Sequence, residues 1–190
     1  MKKKGLIIII AVIAVLVLAI GGAVGTYNDL VENNEEVLAA QAEISTQLQR
    51  RADLIPNFVA TVQGYSDYEQ ETYTAVTEAR AAVANANTAS EQAQASNQLD
   101  SAIDIWVNAV TEAYPELKAN TQYIALQDEL AGTENRIAQA RRDYNEEAQE
   151  YNSDIKKFPR SIFAGIFGFE KYDYFEADSS AQSVPEVSFD

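Results

Sequence analysis

Residues 6–24, LIIIIAVIAVLVLAIGGAV, are apolar without interruption, and beyond residue 26 apolar positions recur at three- and four-residue intervals. The first pattern predicts a membrane-spanning helix, because about 19 residues at roughly 1.5 Å rise approach the ~30 Å hydrocarbon thickness of a bilayer. The second predicts amphipathic helices. Across about 26–52, Tyr27, Leu30, Val37, Ile44 and Leu48 form one stripe that also carries Asn34 and Gln41, and Val31 and Leu38 widen it. Asp53-Leu54-Ile55-Pro56 reads as a break and a new start, since Asp caps helices well and Pro suits a first turn. From there Ile55, Val62, Val76 and Val83 keep a seven-residue grid with Phe58, Tyr65, Thr72 and Ala79 as partner row, and Glu69 occupies a position where the grid expects an apolar side chain.

The polar run 85–90 reads as a turn, with Ser90 as cap of a third helix presenting Leu99, Ile103, Trp106, Val110 and Ala113. Tyr114-Pro115 ends it, because the residue before proline is pushed out of helical geometry. The fourth helix shows Tyr123, Leu126, Leu130, Ile137, Ala140, Tyr144, Ala148, Tyr151, Ile155 and Phe158, with Thr133 as its polar member, and Phe158-Pro159 as its stop. The fold class expected is all-α: an N-terminal transmembrane helix followed by an antiparallel up-and-down four-helix bundle. A parallel coiled-coil oligomer of the same heptads is the alternative, and the turn chemistry at 53–56, 85–90 and 114–117 favours the intramolecular bundle. The division is then 1–5 a short basic terminus, 6–24 the span, 26–158 the bundle, and 159–190 an aromatic then acidic segment.

Lys2, Lys3 and Lys4 precede the apolar run, and no basic residue follows it until Arg50. That bias keeps the N-terminus cytoplasmic and sends the domain across the cell membrane as a single-pass protein. The rival reading is a cleaved secretory signal cut after Ala19-Ile20-Gly21 or Ala23-Val24-Gly25, for which the apolar run is long.

Charge and composition remove several functions. The chain has 14 Lys and Arg against 29 Asp and Glu, a net charge of −15. Without the three leading lysines, the 11 basic and 29 acidic residues leave −18, which argues against nucleic acid as a partner and against lying flat on anionic lipid headgroups. There is no cysteine and no histidine. Disulfides, thiolate chemistry and histidine-dependent triads are therefore excluded, and the commonest zinc ligands are missing. No phosphate-cradling glycine motif occurs. No catalytic residue, cofactor or metal site is expected.

Several blocks resemble the LemA family: Tyr27-Asn28-x-Leu30-Val31, Arg50-Arg51-Ala52-Asp53-Leu54-Ile55-Pro56-Asn57, Gly64-Tyr65, and Val76-x-x-Ala79-Arg80. Tyr114-Pro115-Glu116-Leu117-Lys118-Ala119-Asn120, Thr133-Glu134-Asn135-Arg136-Ile137-Ala138, Ala140-Arg141-Arg142-x-Tyr144-Asn145, Tyr151-Asn152, Phe158-Pro159 and Tyr174-Phe175-Glu176 continue the series. The resemblance covers essentially the whole chain. It implies an N-terminal anchor and a helical bundle, and supplies no established activity, cofactor or catalytic set. Tyr68-Glu69 stands where the family commonly has His-Glu, so a role needing an imidazole there is in doubt for this chain.

The residues singled out are few. Arg50, Arg51, Asp53 and Asn57 gather at the expected first junction, as caps and ion pairs or as an anion or peptide site. Glu69 on an apolar stripe needs a partner, because an unpaired buried carboxylate costs several kcal/mol. Tyr65 and the pairs Tyr144-Asn145 and Tyr151-Asn152 could line a groove, the default being packing at the core edge with the asparagines available to buried hydroxyls. Phe163 and Phe167 lie in an apolar segment too short to span a bilayer, which either packs on the bundle or meets the membrane interface. The function expected is a non-enzymatic interaction or scaffold bundle at the cell envelope, held by lipid contact through residues 6–24 and bound to a protein partner or a second copy. The alternative is a small-ligand or ion-binding bundle with a groove involving Glu69 and tyrosines.

Overall fold

In the computed structural model, residues 2–63 and 70–176 are described. They form five α-helices and one short 3-10 helix: α1 Lys2–Gln63, α2 Gln70–Asn85, α3 Ala89–Ala113, the 3-10 helix Pro115–Ala119, α4 Thr121–Asp154 and α5 Arg160–Phe167. No strand occurs among the described residues. The chain divides into two compact units. One combines residues up to Ala39 with Glu146–Tyr172, and the other combines Ala40–Asn145 with the chain from Asp173 onward.

Residues 6–24 of α1 fulfil the apolar prediction in a specific way. Leu6, Ile7, Ile8, Ile9, Ile10, Leu16 and Leu18 are all exposed. A helix this long and apolar could cross a membrane. Further along the same helix the pattern becomes a stripe, with Leu30 and Val37 fully buried while intervening acidic residues face out.

The second unit is the four-helix bundle. Along α1 and α3, contacts advance together: Ser45 meets Gln92, Arg51 meets Asp100, and Phe58 meets Trp106. Those helices therefore run parallel. Along α1 and α4 they run in opposition, with Arg50 against Glu129 and Phe58 against Tyr123. Along α1 and α2 the same opposition pairs Gln41 with Asn87 and Asp53 with Arg80. This is up-down-up-down order. The core holds Ile44, Leu48, Ile55, Val62, Val76, Ala79, Val83, Leu99, Ile103, Trp106, Val110, Tyr123, Leu130, Ile137 and Tyr144, with Leu117 closing from the 3-10 helix. The rings of Phe58, Trp106 and Tyr123 cluster with centroids 5.0 and 4.9 Å apart.

Several expectations are corrected. The break at Asp53–Pro56 does not occur, because α1 continues through Pro56. A proline inside a helix costs about 3 kcal/mol. Leu48, Ala52, Ile55, Phe58, Val59 and Val62 are all buried on one stripe across it, and each large apolar side chain buried contributes about 1.5–3 kcal/mol. Burial outweighs the lost hydrogen bond. The third helix is capped by Thr88, not Ser90: the Thr88 hydroxyl accepts from the Glu91 N–H, and the Glu91 carboxylate accepts from the Thr88 N–H. That carboxylate also accepts from the Asn87 N–H, and these backbone bonds lower its pKa. Finally, α4 stops at Asp154 and leaves Phe158 83% exposed. Tight turns from Lys156 N–H to Ser153 and from Lys157 N–H to Asp154 end the helix there. Ala113 and Leu38 are also exposed rather than packed.

Candidate functional site

Arg50, Asp53 and Asn57 do mark a surface feature, although not a junction. They follow three- and four-residue spacing on α1 and share a face. With Ser45, Gln49 and Asn87 they line an open groove of about 800 Å³. Arg50 Nη2 lies 2.6 Å from Glu129 Oε1, which Arg136 Nη2 also approaches at 2.8 Å. Asp53 accepts from Gln49 at 2.9 Å and pairs with Arg80 at 3.5 Å. These are exposed pairs that contribute about 0–1 kcal/mol each, so they set polarity more than stability. Gln92, buried at the groove wall, donates to Ser45 Oγ at 2.7 Å.

Arg51 behaves differently from its neighbour. Only 3% exposed, it points inward between Leu48 and Ile55, with Nη1 2.7 Å from Asp100 Oδ1 and Nη2 3.9 Å from Glu134. Burial pushes the Asp100 carboxyl up, and the Arg51 and Arg141 guanidiniums oppose that rise without cancelling it. Burial likewise pulls Arg141 down, against the attraction of Asp100. Arg51 Nε and Ser96 Oγ are buried with no hydrogen-bond partner among the described residues. The layer is thus charged and only partly satisfied. Periodicity reading took Arg51 for a turn residue. Its place three after Leu48 and four before Ile55 was the signal that it faces the core.

Tyr144 and Tyr151 are both buried; Tyr144 bonds backbone, and Tyr151 packs on a ring and lines an open groove of about 600 Å³ with Tyr27, Asn34, Phe167 and Tyr172. In the bundle unit, the Tyr144 hydroxyl donates to the Asp173 carbonyl at 3.0 Å, and its ring meets Phe175 edge-on at 5.0 Å. Asn145 donates to the Phe175 carbonyl and accepts from the Phe175 N–H, both at 2.8 Å. Arg141 lies over the Phe175 ring at 5.7 Å. In the other unit Asn152 does the same to Tyr172, again with two bonds of 2.8 Å. Tyr151 packs on the Tyr172 ring at 5.2 Å, and the Tyr172 hydroxyl donates to Asn34 Oδ1 at 3.0 Å. Burial, with Tyr172 and Glu170 adding to it, pushes the Tyr151 hydroxyl up to about 12. The asparagines therefore serve main-chain groups, while the tyrosines pack in the core as expected. The repeated Tyr-Asn dipeptide was visible in the sequence; its target was not.

Also in that unit, Asp154 is buried and accepts from Asn33 at 3.1 Å, from Lys157 at 2.7 Å and from Arg160. Arg160 reaches on to Asp29 at 3.0 Å. Phe163 is half-buried and Phe167 exposed. Glu69 and Tyr65 lie outside the described residues. Among the described residues no group of three or more His, Cys, Asp or Glu side chains is placed to hold a metal ion.

Fold and site together define an all-helical protein with a long apolar N-terminal helix, a bundle with a polar layer, and paired asparagine clamps. The LemA family model matches residues 40–189, and the chain belongs to the LemA family. It is 29% identical over 136 residues to protein LemA of Metamycoplasma hominis, covering 71% of this chain and 62% of that protein. It is 25% identical over 187 residues to magnetosome protein MamQ 2 of Paramagnetospirillum magneticum, covering 85% of this chain and 68% of the relative. Over 80 residues it is 32% identical to magnetosome protein MamQ of Magnetospirillum gryphiswaldense, covering 42% and 29%. The chain thus spans somewhat under two thirds of the Metamycoplasma protein's length.

Proposed function

We propose that this chain is a non-enzymatic, single-pass membrane protein that displays its helical bundle on the outer side of the cell membrane as an interaction surface for protein partners. The observation that carries the reading is α1 itself. One helix passes from an exposed, wholly apolar stretch into a buried stripe, with Leu6 to Val24 open and Leu30 and Val37 enclosed. Exposed apolar side chains in that number have no aqueous rationale, and a lipid environment supplies one. Lys2–Lys4 ahead of the stretch orient the bundle outward.

The groove around Arg50, Asp53 and Asn57 is the partner surface this reading favours. It is open, and exposed ion pairs of both signs border it. Such a rim sets partner orientation and salt sensitivity more than affinity. A photo-cross-linker placed at Asn57 in intact cells yields a discrete adduct that is missing when the probe sits at Glu112 on α3. Identical adducts from both positions contradict the groove as the binding surface.

A further inference from the structure

The helix α5 has its faces the wrong way round for a water-bathed element. Ala164 is the residue it buries, while Ile162, Ile166 and Phe167 are 51%, 68% and 53% exposed. Ile162 with Ile166, and Phe163 with Phe167, form two adjacent rows four residues apart, so the exposed side is a continuous apolar strip. Gly168, with φ of 75°, closes the helix in a left-handed cap that a side chain would strain, and Phe169 N–H follows back to the Ala164 carbonyl.

Its neighbours fix where this strip lies. Phe167 and Phe169 pack against the Tyr27 ring at 4.8 and 5.9 Å, and Arg160 pairs with Asp29 at 3.0 Å. Tyr27 stands three residues past the last residue of the apolar run, a rise of about 4.5 Å. The headgroup layer on each side of the hydrocarbon is about 5–8 Å thick. Residues 27–29 and the helix they hold therefore fall within that layer when residues 6–24 span the membrane.

Charge agrees. Residues 156–171 carry Lys156, Lys157, Arg160 and Lys171 against Glu170 alone, a net of +3. Residues 25–155 carry 7 basic and 23 acidic side chains, a net of −16. Lys157 and Arg160 of this set pair with Asp154 and Asp29 inside the unit, and Lys156 beside α5 is exposed.

We propose that α5 is a second membrane contact: an interfacial helix that lays Ile162, Ile166 and Phe167 into the acyl boundary while the exposed Lys156 on its flank meets anionic lipid headgroups. The occupant of the strip is lipid, continuous with the lipid around the span, and the proposal rests on residues 6–24 being membrane-embedded. Amphipathic helices with aromatic and aliphatic side chains on one side and cationic flanks lie in this position.

The cysteine-free sequence allows single labels on the full chain. The variants Val17→Cys, Ile105→Cys and Ile166→Cys carry an environment-sensitive fluorophore in vesicles of phosphatidylcholine and phosphatidylglycerol with brominated acyl chains. Labels at 17 and 166 are quenched by the bromines, and the label at 105 on α3 is not. The loss at 166 exceeds that at 105 by at least about twofold. Quenching at 17 with 166 no different from 105 overturns the interfacial helix and leaves the span intact. No quenching at 17 overturns the span and the proposal with it. A label at 166 shielded from both brominated lipid and aqueous iodide means protein cover and also overturns it. Vesicles of phosphatidylcholine alone reduce quenching at 166 but not at 17; equal quenching removes the role given to the basic flank.

Discussion

The two units solve the burial of polar groups in opposite ways. In the unit holding Asp154, the buried carboxylate is met by Asn33, Lys157 and Arg160, and Tyr172 has both backbone groups bound by Asn152. Cationic side chains from the segment just after α4 reach this carboxylate. In the bundle unit the charge is carried inward instead. Arg51 lies in the core against Asp100, Arg141 is nearby, and several nitrogens and oxygens are buried without a hydrogen-bond partner among the described residues. The comparison teaches that a buried charge is a matter of supply. A carboxylate near a helix end can recruit flexible donors, whereas a guanidinium in a bundle layer receives only what facing helices present. The first arrangement holds a chain segment; the second fixes helix register at the expense of stability.

Removing one member of the charged layer gives the largest effect. Arg51→Ala leaves Asp100 buried without its closest cation and lowers stability by about 3–5 kcal/mol in urea unfolding of the full chain in micelles. Replacing the layer together, Arg51→Met and Asp100→Leu with Arg141→Met, restores most of that loss, because an apolar layer leaves no buried charge unpaired. A triple variant no better than Arg51→Ala would mean the layer is needed as charge, and the contrast between units would fall.

Asn152→Ala is the matching cut in the other unit. It leaves the Tyr172 N–H and carbonyl without their amide partner and lowers stability by about 1–3 kcal/mol. Amide exchange at Tyr172 then accelerates while exchange in α3 stays unchanged. If α3 amides accelerate equally, the clamp is not a local device.

Two smaller effects follow protons. The Asp100 carboxyl is raised from its ordinary 3.8 by burial, so its stabilising share is full below that value and is lost as pH rises through the raised one. The natural chain therefore loses stability relative to Asp100→Asn as pH climbs from the acid side, in denaturation series at stepped pH. An opposite slope means the guanidiniums outweigh burial. The Tyr151 hydroxyl, raised to about 12, keeps its proton after free tyrosines have ionised, and the stability this contributes disappears as pH passes through that value. Spectrophotometric titration of the natural chain and Tyr151→Phe differs only in the late-ionising fraction; a difference at ordinary tyrosine pH removes the burial argument.

The stripes were legible because periodicity is a local property. Leu30, Val37, Ile44, Leu48, Leu99, Ile103, Trp106, Ile137 and Tyr144 all fall where spacing puts them. Pro56 misled because a proline's local penalty was weighed without the tertiary burial of Ile55, Phe58 and Val62 on either side of it. The clamps were half legible. Tyr144-Asn145 and Tyr151-Asn152 stood out, but an asparagine's partner some twenty or thirty residues away leaves no mark on helical spacing. Asp100 escaped because one acidic residue on an amphipathic helix looks solvent-facing until its neighbour Arg51 is seen to be buried.

The central claim is that residues 6–24 of α1 hold the bundle at the outer face of the cell membrane. Ile105→Cys, exposed on α3 in a chain with no other cysteine, tests it in intact cells with a membrane-impermeant thiol reagent followed by an alkaline carbonate wash. The account predicts labelling before lysis and a labelled chain that stays with the membrane. Labelling only after lysis, or a labelled chain released by the wash, would contradict it.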